Sequence, residues 1–171
     1  MQFRIEHRFP GSPTSVAAKM FSPDIGPILS ERMSTIIEVE GLAQTREGDL
    51  LRARTRYLPV PLIKRVGPKR VEPRWMEWIA EFEFDETSGK GSFRNIPTTA
   101  QVARLMDNHG TIELHAVPGG ETLRVLEGEL RIKVPLLGRI AEKIIHKNAV
   151  SILDDEAEVM RALLAQKPHP G

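Results

Sequence analysis

The sequence predicts an α+β fold, and three observations predict it. Alternation of apolar with polar residues recurs in seven separate runs, the signature of half-buried strands. Two serine–proline helix starts follow directly on the first run. After Pro135 the period changes to that of one long amphipathic helix. The order is strand, two short helices, six strands, long helix.

The elements follow in order. Phe3, Ile5, His7 and Phe9 face one way and Gln2, Arg4, Glu6 and Arg8 the other, until Pro10-Gly11 ends the strand. Ser12-Pro13 starts a helix to Phe21. Ser22-Pro23-Asp24 starts a second, irregular one to about Met33. Ile37 and Val39 open a hairpin that turns at Arg46-Glu47-Gly48-Asp49. It returns as Leu51, Ala53, Thr55 and Tyr57 alternating with Arg52, Arg54 and Arg56. Residues 59–73 hold four prolines and read as a long loop with one short turn. A strand is expected over 74–85, then a weaker one over 92–99, with Thr99–Asn108 as a possible further helix. Ile112, Leu114 and Ala116 mark the next strand, with Asn108-His109-Gly110 before it as turn material. Pro118-Gly119-Gly120 turns into a long strand, 123–134, whose phase slips near Glu127-Gly128-Glu129 as at a bulge. Leu136 to Leu164 is the long helix, about 43 Å if unbroken. Its apolar row runs Leu137, Ile140, Ala141, Ile144, Ile145, Ile152, Val159, Leu163.

One domain, 1–166, with a frayed polar tail, 167–171, accounts for the 171 residues. Lys plus Arg is 24 and Asp plus Glu 23, so the net charge of +1 gives no overall drive toward nucleic acid. There is no cysteine, which excludes disulfides, thiolate metal sites and cysteine catalysis. The N-terminal residues show no apolar signal core and no run is long enough to span a membrane, so a cytoplasmic location is expected. Walker A, dinucleotide and nucleophile-elbow patterns are absent, and the histidines lack ligand spacing. No metal and no cofactor is expected.

Two stretches carry a family resemblance. Phe3-Arg4-Ile5-Glu6-His7-Arg8-Phe9-Pro10-Gly11-Ser12-Pro13-Thr14-Ser15-Val16 looks like an edge strand leading into a small-residue helix start. Gly128-Glu129-Leu130-Arg131-Ile132-Lys133-Val134-Pro135-Leu136-Leu137-Gly138 looks like the passage from a last strand into a gripping helix. With the element order, they resemble the START-like, helix-grip superfamily (SRPBCC, or pollen-allergen-like), and especially a bacterial START-like group of unassigned activity. The resemblance implies a strongly curved antiparallel sheet of about seven strands wrapped around the C-terminal helix. It also implies a cavity between them for a small apolar ligand, with catalysis in some branches.

The residues nominate the site. Asn148, Ile152 and Glu156 share the apolar stripe at four-residue spacing, where polar groups need partners. Read functionally, Asn148 and Glu156 orient a ligand. Read structurally, Glu156 meets a strand cation and Asn148 a strand carbonyl. His7, Thr55, Tyr57, Trp78 and Phe82 lie on inward strand faces, as cavity wall or as plain core. Lys64, Arg65, Lys69, Arg70 and Arg74 make the proline-rich loop basic, with Leu62 and Ile63 beside them. That suits an anionic head group, a peripheral membrane contact or an acidic partner, or else a solvated loop. Asp154, Asp155, Glu156 and Glu158 splay around the helix and read as a solvated face, not a metal site.

Three functions remain open. The first is binding, transport or sensing of a lipid or polycyclic molecule, by a monomer or homodimer. The second is a cyclase, aromatase or hydratase acting on an apolar substrate with His7, Tyr57 or Glu156 as acid or base. The third is an interaction module using the loop 59–74. No residue pattern commits the chain to catalysis.

Overall fold

The computed structural model describes residues 1–166 except 63 and 67, and omits the side chains of 66 and 69. The expected tail, 167–171, lies outside the described residues, as do Ile63 and Gly67 of the loop.

β1 (Gln2–Pro10) buries Ile5, His7 and Phe9, as period two requires. In α1 (Pro13–Met20) the Ser12 hydroxyl accepts the Ser15 amide at 3.2 Å and Pro13 fills the first helical position. α2 (Ile25–Arg32) follows, without a side-chain cap from Asp24. β2 (Ile36–Glu47) and β3 (Leu50–Pro59) form the expected hairpin around Gly48-Asp49, with Gly48 at φ +61°. The proline-rich loop holds a small ladder, β4 (Arg65–Val66) with β5 (Lys69–Arg70), and a 3-10 turn, Pro73–Met76. That turn delays the next strand: β6 is Trp78–Asp85, not 74–85, because Pro73 opens a turn instead of a ladder. β7 (Lys90–Pro97), α3 (Ala100–Leu105), β8 (Met106–Val117), β9 (Glu121–Ile132) and α4 (Gly138–Ala165) complete the chain. The seven long strands form one antiparallel sheet, ordered β1-β9-β8-β7-β6-β3-β2.

Two sequence expectations fail for one reason. Asn108-His109-Gly110 is not a turn, and β8 begins six residues before Ile112. Glu127-Gly128-Glu129 is not a bulge, because the β8–β9 register runs through it without a shift. Gly110 and Gly128 sit directly opposite each other. A Cβ on Gly110 would strike the Glu127 carbonyl, and one on Gly128 would lie 2.8 Å from Cζ of Phe3. The glycines serve close approach between strands rather than a break in them. The register shifts that do occur are in β2–β3, near Ile36–Glu38 and Gly41–Ala43.

α4 lies against β1, β9, α1 and α2, and its two halves do different things. The second half supplies Ala157 and Met160 to one core cluster, with Phe9, Val16, Phe84 and Leu114. It supplies Ile152, Val159 and Leu163 to another, with Leu29, Met33 and Val39. Each fully buried side chain of this kind contributes ~1.5–3 kcal/mol, so the grip is concentrated there. Before Asn148 the helix buries only Gly138 among its described residues. Leu137, Ile140 and Ile144, expected in the buried stripe, are exposed by 58, 57 and 42 %. Of the predicted row before Asn148, only Ile145 lines the cavity described below; Leu137, Ile140 and Ile144 face solvent instead.

Asp155 ties α4 to the entry of β2. Its Oδ2 accepts the amides of Ser34 and Thr35 at 2.8 and 2.9 Å and their hydroxyls at 3.1 and 2.8 Å. Burial pushes its pKa up, but the hydrogen bonds from Thr35 and Ser34 outweigh that and hold it below the usual carboxylate value. Asp155→Ala should therefore cost about 1–3 kcal/mol of stability at neutral pH. A depressed folded pKa means this contribution is complete above about pH 4 and fades as pH falls further. The gap in urea midpoint between the two proteins should narrow in acid; a gap that persists unchanged at low pH would show that the carboxylate charge is not what holds the joint.

Candidate functional site

A cavity of about 240 Å³ separates the sheet from the middle of α4, residues 145–156. Of the residues nominated by the sequence, Tyr57, Trp78, Phe82, Asn148, Ile152 and Glu156 line it. Tyr57 and Trp78 are register partners on β3 and β6, and their rings stack at 5.1 Å and 6° to form a flat aromatic wall. Phe3, Phe82 and Phe93 close the opposite part of the sheet side. Thr55 lies in the inward row of β3 but outside the lining. His7 also lies outside it.

The deep end is polar. The inward row of β9 runs Thr122, Arg124, Leu126, Gly128, Leu130, which carries the Arg124 guanidinium into the interior at 1 % exposure. Its Nη2 donates to Glu156 Oε2 at 3.0 Å and to His7 Nδ1 at 3.1 Å. Its guanidinium carbon lies 5.0 Å from the centre of the Phe9 ring. Because His7 Nδ1 accepts, Nε2 carries the proton and donates to Asp154 Oδ1 at 2.9 Å. Burial, then the charge of Arg124, pushes the His7 pKa below its ordinary value, with the Asp154 bond acting against them. His7 is thus a neutral support behind Arg124. Burial, and then the charge of Glu156, pushes the Tyr57 pKa up, so its hydroxyl stays protonated.

Several polar atoms here have no partner. Asn108 Oδ1 and Arg124 Nε are buried without one. Asn148, 8 % exposed, faces the cavity and has no hydrogen bond among the described residues. Glu156 Oε1 is equally free once Oε2 has taken Arg124. Asn95 adds a third amide to the lining. Buried groups of this kind are normally satisfied, so the cavity edge carries hydrogen-bonding capacity that the described residues leave unused.

Arg124, Asn95 and Asn108 are site residues that the sequence reading misses. Period two would have found the amides, since each lies two residues from an inward neighbour, Asn95 from Phe93 and Asn108 from Gly110. Asp154 and Glu158 lie on the exposed face expected of them, whereas Asp155 and Glu156 do not. Asp154 holds His7, Asp155 holds Ser34 and Thr35, and Glu156 holds Arg124. Among the described residues no three His, Asp or Glu converge as metal ligands. Lys64, Arg65, Arg70 and Arg74 are exposed and outside the cavity lining, and the Lys69 side chain is outside the described set.

Residues 5–164 match a family model described as "Protein of unknown function (DUF2505)". The chain belongs to this family. No curated protein matches the sequence. Solved structures resemble it over nearly its full length. A Thermus thermophilus protein, TTHA0849, is 22 % identical with a TM-score of 0.65, over 95 % of this chain and 99 % of that one. Norcoclaurine synthase from Thalictrum flavum is 14 % identical, TM-score 0.66, over 98 % and 87 %. The Zhui aromatase/cyclase from Streptomyces sp. R1128 is 13 % identical, TM-score 0.58, over 96 % and 98 %. At these identities the likeness shows the fold, and this DUF2505 chain has the START-like helix-grip fold that its sequence resembles.

Two predictions test the polar end. Glu156→Leu alone leaves a buried guanidinium without its carboxylate and should cost roughly 3–5 kcal/mol in urea unfolding, whereas Arg124→Met with Glu156→Leu should recover much of that loss. Equal losses would mean the ion pair does not organise this region. Because the folded His7 pKa is depressed, its contribution is complete above about pH 6.5 and declines as pH falls below that, where the unfolded chain binds the proton more readily. His7→Gln should flatten the wild-type loss of melting temperature between neutral and mildly acidic pH; an unaltered slope would assign it elsewhere.

Proposed function

We propose that the protein binds a small, largely apolar molecule between the sheet and α4, with one hydrogen-bonding group seated against Arg124, Glu156 and Asn148. The observation that carries this reading is a preformed apolar cavity edged with polar atoms that lack partners. Apolar burial supplies the affinity, and the stacked Tyr57–Trp78 wall suits a flat or chain-like ligand. The free carboxylate oxygen of Glu156 selects a hydroxyl or other donor. His7 acts one layer behind the wall, through Arg124.

A second reading is supported by one feature. A carboxylate anchored through one oxygen, near a protonated phenol in a largely apolar cavity, is also what proton transfer to a bound substrate requires. In that case the protein is an enzyme of cyclase or hydratase kind, in which the free Glu156 oxygen takes a proton from a bound substrate and the Tyr57 hydroxyl, kept protonated, donates a hydrogen bond to the substrate oxygen.

Native mass spectrometry of freshly purified protein, with organic extraction of the bound material, should reveal a co-purifying apolar molecule. 2-Naphthol should bind more tightly than naphthalene by roughly ten-fold or more, because only the naphthol satisfies the buried acceptor. Ile152→Trp should fill the cavity and abolish 2-naphthol binding while the protein stays folded by circular dichroism. Undiminished binding in that variant would place the pocket elsewhere.

A further inference from the structure

We infer that the open end of the cavity docks on an anionic lipid surface. Docking stands on its own observations; only its use, as the route by which ligand enters and leaves, rests on the binding reading above.

The topology collects three connections at one end of the sheet: residues 60–77 between β3 and β6, residues 98–105 between β7 and β8, and residues 133–137 between β9 and α4. Backbone bonds tie them to their neighbours, from the Thr98 amide to the Glu77 carbonyl and from the Lys133 amide to the Leu105 carbonyl. Trp75, which lines the cavity, is 44 % exposed there. Around it, each connection presents a large apolar side chain to solvent. Leu62 is exposed by 52 %, Leu105 by 42 % and Leu136 fully, and Ile140 continues the patch onto α4. Apolar groups from separate segments ringing one opening mark an interaction surface rather than scattered exposure.

The charge at this end is predominantly positive. In the loop, Lys64, Arg65, Arg70 and Arg74 are exposed and make no ion pair among the described residues. Arg104 and Lys133 add two more from the other connections. On α4, Arg139, Lys143 and Lys147 form a row at four-residue spacing beside Ile140 and Ile144. The acids nearby are engaged: Glu77 with Arg56, Glu142 with the N-terminal amine and the Ile132 amide, and Asp107 with His109. Glu72 alone lacks such a partner among the described residues. The sheet's outer face is the contrast, for Arg52, Arg54 and Arg56 there are matched by Glu83, Glu81 and Glu40. Cations interleaved with apolar side chains complement anionic head groups over hydrocarbon. An acidic protein seated here would cover the cavity it surrounds; a lipid surface leaves an apolar path into it.

The test is co-sedimentation of the full chain with vesicles of phosphatidylcholine, and of equal parts phosphatidylcholine and phosphatidylglycerol. The protein should bind the anionic vesicles only and be released by high salt. Arg139→Glu with Lys143→Glu should weaken binding roughly ten-fold or more, as should Leu137→Ser with Ile140→Ser. All four positions are exposed, and 2-naphthol binding measured without vesicles should be unchanged in both variants. Absence of binding to either vesicle, or binding indifferent to these substitutions, overturns the inference. So does a concentration-dependent dimer, dissociated by Leu137→Ser with Ile140→Ser, that binds no vesicle; the face then belongs to a second copy. Vesicle binding without 2-naphthol binding would keep the docking and overturn the ligand reading alone.

Discussion

The buried guanidinium of Arg124 constrains the rest of the molecule. A cation at 1 % exposure is tolerated only with partners already in place. Those come from two elements distant in sequence: Glu156 on α4, and His7 with the face of Phe9 on β1. His7 in turn needs Asp154, back on α4. Successive helical residues point about 100° apart, so Asp154, Asp155 and Glu156 reach three different places. One goes to β1, one to the entry of β2 and one to β9. Three adjacent carboxylates thus fix both the rotation and the register of α4 on the sheet.

That fixed point divides the helix. Beyond it, Ala157, Met160 and Leu163 face the strands and α1 and α2, and the core is solid. Before it, no apolar side chain can pack onto Arg124 and Glu156 without stranding their polar atoms. The space above them is therefore left open rather than collapsed, and its walls are held by aromatic rings already packed on one another. A cavity kept open in this way costs stability, and a ligand of the proposed kind would offset part of that cost.

Much of this is legible in the sequence and some is not, for definite reasons. Strands announce themselves wherever one face is wet, as in Arg52, Arg54 and Arg56 against Leu51, Ala53 and Tyr57. The long helix is equally plain, and spacing alone places Asn148, Ile152 and Glu156 on its inner face. Arg124 is invisible because Leu123-Arg124-Val125-Leu126 offers apolar residues in both phases, and arginine ordinarily lies outside. Gly110 and Gly128 mislead because glycine signals a turn, a bulge or a close approach, and only the pairing of β8 with β9 tells which. The exposed Leu137 and Ile140 look like core because periodicity reports that a helix has an apolar face, not what that face meets.

The same distinction governs the charge. A net charge of +1 suggests a protein without electrostatic preference. On the outer face of the sheet that is true, since arginines and glutamates oppose each other across β3 and β6, each exposed pair adding little stability but together cancelling the field. The cancellation is local. It leaves the cations of the loop, α3 and the first half of α4 uncompensated at one end, beside apolar groups that water would otherwise cover. Summed charge and mean composition average over these two regions. The arrangement becomes interpretable only when the fold has gathered residues from 62 to 147 around one opening.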